Sequence, residues 1–227
     1  MLRTATLLLL MFILLFTASL LLIRLTPPLT YEEIISPDLS GVNPDELRKH
    51  LETLVSFNSR FIGHKGCIQA ALYIASVFKR NGLEVYLDNF SFGRFKGVNV
   101  IGVKRGGNLG NMWVILCAHY DSFSTGRLAP GADDNGTGVS ILLWLSGKLA
   151  NVSVNKTVIL IAFSGEEVGL AGSKHYVEKN LKELIYHKAV VINIDAVGYG
   201  EYLWVTTGLS PISPESRKLA ELMFRVA

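Results

Sequence analysis

Three apolar runs each end in side chains able to hold a metal ion or move a proton. Trp113–Ala118 leads into His119-Tyr120-Asp121, Val158–Phe163 into Ser164-Gly165-Glu166-Glu167, and Ala189–Ile194 into Asp195. A fourth stretch, Pro130-Gly131-Ala132-Asp133-Asp134-Asn135-Gly136-Thr137-Gly138, sets an acidic pair before a glycine-rich helix start. One imidazole with several carboxylates suits a hard-to-borderline divalent ion such as zinc. His119 and Asp121 are two apart and share a strand face, so one can ligate while the other hydrogen-bonds behind it. Glu166 and Glu167 are adjacent and must diverge, so one can ligate while the other stays free as a base. A carboxylate on a loop between two ions can bridge them and so help to activate a shared water. Taken singly, each stretch has an ordinary structural reading: a polar strand end, a turn with a helix cap, an acidic first helical turn. Their joint position at strand ends is what points to chemistry.

The positioning elements are legible from periodicity. Continuous rather than alternating apolar strands are buried on both faces, as in α/β sheets. Helical patterns separate the three runs: Gly138–Ala150, then roughly 168–185. Before them lie a helix opening at Asn43-Pro44-Asp45-Glu46, a helix over about Ile68–Lys79, and strands near Glu84–Phe90 and Val98–Lys104. This order predicts a three-layer α/β/α sandwich with a mixed, mostly parallel central sheet. Parallel strands bring their carboxyl ends to one edge, where the histidine and the acids converge.

Composition narrows the class. The chain has 227 residues, 49% of them hydrophobic, with 22 basic and 19 acidic residues and a formal charge of +3. Its mean hydropathy of +0.34 is high for a globular domain. The excess sits in the first 24 residues, and without them the apolar share falls to roughly 46%, an ordinary value. Arg3 and Arg24 also lie there, so the remainder is nearly neutral, which argues against a nucleic-acid footprint. Its apolar content excludes intrinsic disorder. Two cysteines, Cys67 and Cys117, neither staple a domain of this size nor form a metal knuckle.

Ala5–Ile23 is an apolar run bracketed by Arg3 and Arg24 and followed by Pro27-Pro28. As a helix it rises about 28 Å, close to the hydrocarbon thickness of a bilayer. We read residues 1–24 as a retained signal anchor forming one N-terminal transmembrane helix, 25–42 as a linker and 43–227 as one domain, extracytoplasmic. Secretion after signal cleavage is the alternative. Sequons stand at Asn135, Asn151 and Asn155, and the first, beside the acidic pair, is expected to be unmodified.

Ala118-His119-Tyr120-Asp121-Ser122, Pro130 to Gly136, Ser164-Gly165-Glu166-Glu167 and Asn193-Ile194-Asp195 together resemble the motifs of the zinc aminopeptidase family of the bacterial leucyl aminopeptidase and aminopeptidase Y type. Glutamate carboxypeptidase, glutaminyl cyclase and the transferrin receptor are relatives within it. Ser59-Arg60 through Gly63, and Ala70 to Val85, also resemble the family. The resemblance covers about residues 44–227. It implies two zinc ions, with Asp133 bridging them, His119 and Asp195 completing one site and Glu167 ligating the other. Glu166 would be the general base and Asp121 would orient His119. The implied activity is a membrane-anchored exopeptidase that removes N-terminal residues from peptides. Carboxypeptidase or glutaminyl cyclase chemistry and a non-catalytic peptidase-like ectodomain are the alternatives. Oligomeric state is not legible.

One departure matters. The family draws a further histidine for the second site from well beyond the third strand, and no histidine follows Asp195. His175 matches the ordinary helix pattern after Glu167 and is not taken as a ligand. The last helical pattern, Pro214–Ala227, has no stop signal. The expectation is therefore a C-terminally shortened domain with one complete and one incomplete metal site, and low turnover.

Overall fold

The computed structural model describes residues 42–123, 128–207 and 213–226. The apolar run 5–23, the linker as far as residue 41 and the segment 124–127 lie outside the described residues, and the expected membrane helix lies there with them. Among the described residues, no helix is long and apolar enough to cross a membrane. The chain divides into two units, one of them Asn43–Leu203 and the other taking in the residues from Trp204 onward.

In the larger unit, α1 is Pro44–Ser56. Asn43 caps it by accepting the Asp45 N–H at 2.9 Å, and Asp45 and Glu46 place negative charge at the positive end of the helix. The second helix, α2, is Lys65–Arg80, and its buried stripe of Ala70, Ala71, Ile74, Val77 and Phe78 repeats at helical spacing. Two strands follow, β1 (Glu84–Phe92) and β2 (Phe95–Lys104), then β3 (Leu109–His119). An irregular turn, Ala132–Thr137, opens α3 (Gly138–Ala150). The remaining elements of this unit are β4 (Lys156–Phe163), α4 (Ala171–Tyr186) and β5 (Val190–Asn193). In the other unit, α5 (Pro214–Val226) is capped by the Ser213 hydroxyl, which accepts the Ser216 N–H at 3.0 Å.

The sheet order is β1-β2-β4-β3-β5. Strands β3, β4 and β5, those that end in candidate chemistry, run parallel. The sheet is less parallel than expected, because β1 pairs antiparallel with β2, and β2 with β4. The cause is local: Gly93 and Arg94 alone join the paired Phe92 and Phe95, and so short a connection can only reverse the chain.

Alternate residues of the strands face opposite ways. Ala118, Leu160, Ala162 and Val100 pack with Ile74 and Phe78 of α2 and Leu142 and Leu143 of α3. Ile115, Cys117, Ile159 and Ile161 pack with Tyr176 of α4 on the other face. The chain thus leaves β3 toward one face and leaves the adjacent β4 toward the other. Such a divergence opens a crevice at the carboxyl ends of the two strands. His119 and the Glu166-Glu167 pair flank it.

Candidate metal centre

His119 closes β3 with only 4% of its side chain exposed. Its Nδ1 lies 3.1 Å from the main-chain oxygen of Asp121 and 3.7 Å from the carboxylate of that residue. Donation there leaves Nε2 facing two more carboxylates, Asp134 Oδ1 at 3.0 Å and Asp195 Oδ1 at 3.3 Å. With Nδ1 donating, Nε2 among acceptors needs either a proton of its own or a metal ion. Burial opposes a charged imidazole, yet the hydrogen bonds and charges of Asp121 and Asp195 prevail and raise its pKa to about 10. A divalent ion meets the same demand.

The Asp121 carboxylate is fully buried and serves two amides. Oδ1 accepts the Glu166 N–H at 3.1 Å and Oδ2 the Glu167 N–H at 3.2 Å. Expected to orient His119, Asp121 meets that ring with its main-chain oxygen at 3.1 Å and its carboxylate at 3.7 Å, and the same carboxylate holds the glutamate turn. Glu166 and Glu167 are half-buried. Burial raises the pKa of both, and surrounding acids, Asp121 and Asp134 among them, add to the rise despite the opposing charge of His119.

Asp133 and Asp134 exchange their expected places. Asp133 turns away: its Oδ1 accepts the Gly198 N–H at 2.8 Å, and its main-chain oxygen accepts the Thr137 hydroxyl at 2.8 Å. The carboxylate that meets His119 belongs to Asp134. The reason lies in the turn. Gly131 takes a left-handed conformation at φ +49°, and the backbone leaves helical geometry at Asp134 (φ −99°, ψ 99°) and Asn135 (φ −129°, ψ 55°), so the Asp134 side chain departs from the direction a continuous helix would give it. A Cβ on Gly131 would fall 2.5 Å from the Asp134 oxygen, which leaves glycine alone at ease there.

Two sets of donor atoms lie within 4.8 Å of one another: His119 with Asp134 and Asp195, and His119 with Glu166 and Glu167. Imidazole nitrogen with carboxylate oxygens is a donor set that fits zinc. Neither set contains a second histidine among the described residues. His175 lies elsewhere, stacked on Phe90 with its Nε2 3.4 Å from Asp88. Asn135, read from sequence as a sequon and as part of the turn and helix cap, is a structural tie. Its Oδ1 accepts the Gly138 and Ala196 N–H groups at 2.9 and 3.3 Å, and its Nδ2 donates to the Ile194 oxygen at 2.8 Å. It thereby fixes the Asp134 turn against the chain that carries Asp195. Fully buried, with its amide spent, it leaves no room for a glycan. Beside the donors, a cavity of about 260 Å³ has Cys117, Ile161, Phe163, Leu170 and Tyr176 in its wall together with His119, Glu166 and Asp195.

Comparison with known proteins matches residues 99–226 to Peptidase family M28. Aminopeptidase YwaD of Bacillus subtilis is 30% identical over 175 residues, which cover 74% of this chain and 37% of that protein. A crystal structure of a Zn-dependent exopeptidase from Parabacteroides distasonis superposes with a TM-score of 0.60 at 24% identity, covering 69% of this chain and 62% of that one. A glutaminyl cyclase from Fimbriiglobus ruber gives a TM-score of 0.60 at 20% identity, over 68% and 62%. These two likenesses speak to the fold. The chain spans less than half the length of the curated relatives it matches.

Proposed function

We propose, from the premise that this chain belongs to peptidase family M28, that it is the catalytic part of a zinc aminopeptidase that hydrolyses the N-terminal bond of peptides. One observation carries the reading most: His119, Asp134, Asp195, Glu166 and Glu167 converge at the β3–β4 crevice as two overlapping donor sets. We assign the zinc ligands as His119, Asp134, Asp195 and Glu167. Asp134 takes the shared position first given to Asp133.

Bound zinc would supply Lewis acidity toward the scissile carbonyl and toward a water. The other tasks fall to the chain. Glu166, with its raised pKa, accepts the proton of the attacking water and returns it to the leaving amine. Asp121 holds the amides of Glu166 and Glu167, so the base and its neighbouring ligand keep a set separation. The apolar cavity beside the donors suits a nonpolar side chain next to the bond cleaved. The apolar run at 5–23 remains the proposed membrane anchor, with the domain on the extracytoplasmic side.

Zinc-loaded protein tested on aminoacyl p-nitroanilides decides the matter. Glu166→Ala should lower turnover about 10²–10⁴-fold while leaving the zinc content unchanged. A wild-type chain that holds no zinc after dialysis would overturn the proposal in favour of a non-catalytic, peptidase-like domain. Cyclisation of N-terminal glutaminyl peptides without release of N-terminal residues would favour glutaminyl cyclase chemistry.

A further inference from the structure

Arg60 follows α1 and is fully buried. No carboxylate of the described residues lies within ion-pair distance of it. Its guanidinium is satisfied entirely by main-chain oxygens. Nε donates to Tyr120 at 2.7 Å, Nη1 to Leu54 at 3.3 Å and to Pro130, and Nη2 to Gly131 at 2.9 Å. The Arg60 N–H adds a bond to the Ser122 hydroxyl at 3.1 Å, and that hydroxyl donates to the Ala129 oxygen at 2.6 Å.

The positions of these acceptors carry the argument. Tyr120 lies between His119 and Asp121. Pro130 and Gly131 directly precede the turn that presents Asp134. A rigid planar fork with five donors can hold two such segments at a set distance, which a flexible ammonium cannot. A buried cation without an ion-pair partner is costly, and an apolar filler would avoid that cost. The carboxylates whose charge acts on Arg60 are those of Asp121 and Asp134, members of the site itself.

We propose that Arg60 is a positioning residue for the metal centre: it sets the spacing between His119 and Asp134, and through it the affinity for zinc. This rests on the zinc-site reading above. The test compares the full chain with Arg60→Lys, Arg60→Met and Val103→Ala, the last buried on β2 opposite Ile159, which stands four residues before the carboxyl end of β4. Zinc affinity is measured by competition with a chromophoric chelator, and the coordination geometry by the visible spectrum of bound cobalt. Thermal melts of the metal-free proteins give the stability of each.

Both Arg60 variants should bind zinc about 10–100-fold more weakly, with an altered cobalt spectrum. Val103→Ala should lose stability and keep the wild-type affinity and spectrum. Gly131→Ala disturbs the same clamp with Arg60 in place, and it should also weaken zinc binding. It carries the test should the Arg60 variants fail to fold. Wild-type affinity and spectrum in a folded Arg60 variant, or in Gly131→Ala, overturn this inference alone, as does an equal affinity loss in Val103→Ala. A wild-type chain that binds no zinc overturns the metal-site reading, and this inference falls with it.

Discussion

Asp133 and Asp134 are chemically identical and adjacent, yet only one faces His119. Asp134 Oδ1 stands 3.0 Å from the imidazole, whereas Asp133 Oδ1 accepts the Gly198 amide. Their substitutions should therefore part. Asp134→Ala should abolish stoichiometric zinc retention after dialysis. Asp133→Ala should keep the zinc and lower stability by about 0.5–1.5 kcal/mol, the net worth of a typical hydrogen bond, since the Gly198 amide is exposed. Zinc analysis together with urea unfolding of both variants checks this, and equal zinc loss in both would return the shared role to Asp133. The residues that meet here were legible one by one: His119, Glu166, Glu167 and Asp195 were all singled out by type and by strand-end position. The choice within the acidic pair was not legible. It depends on the backbone of the Gly131–Asn135 turn, which composition does not encode.

At the scale of elements, the glutamate turn is held from beneath by the β1–β2 hairpin. Asn99 of β2 is fully buried. Its Oδ1 accepts the Ser164 N–H at 3.2 Å, and its Nδ2 donates to the Gly172 oxygen at 3.0 Å and to Asp88 Oδ2 at 3.2 Å. Both stems of the Ser164–Gly172 connection are thus tied to one side chain. Asn99→Ala leaves buried amide and carbonyl groups without partners and should cost about 2–3 kcal/mol in urea unfolding. Asp88 continues the network, accepting from Lys179 at 2.6 Å. Burial works against its charge, but the bonds from Lys179 and Asn99 prevail and its pKa falls below the ordinary 3.8. A carboxylate depressed in the fold contributes stability that is complete above its unfolded value and lost as pH falls through its folded one. Asp88→Asn should therefore lower stability at pH 7 and flatten the decline below about pH 4, the ordinary carboxylate range. An unchanged acid limb would refute the assignment. Periodicity located β1, β2 and α4 but not this network, because Asp88 and Asn99 read in sequence as ordinary polar strand positions.

For the molecule as a whole, the donors come from four places in the chain: the end of β3, the turn before α3, the end of β4 and the segment after β5. An ion held by side chains from several of them binds the folded state alone, so zinc should stabilise the chain. At 100 times its dissociation constant the gain is about 2.7 kcal/mol, visible as a rise in Tm that a chelator reverses. Asp134→Ala should abolish that rise, and a zinc-independent melt of the wild type would count against the site. By itself the sequence determined the class of the sheet, the helices between its strands, the edge where the acids gather and the family resemblance. Apolar periodicity and residue type record burial and chemistry locally, so these were open to reading along the chain. Only the tertiary structure decided that Asp134 rather than Asp133 faces the histidine, that Asp121 serves the glutamate amides, and that Arg60, Asn99 and Asn135 tie the site-bearing loops together. The ties that Asp121, Arg60, Asn99 and Asn135 make to these loops join groups 45 to 71 residues apart, and two of them pin the turn that presents Asp134. Such partners are chosen by backbone direction and distance in the folded chain, which no local pattern of residues specifies.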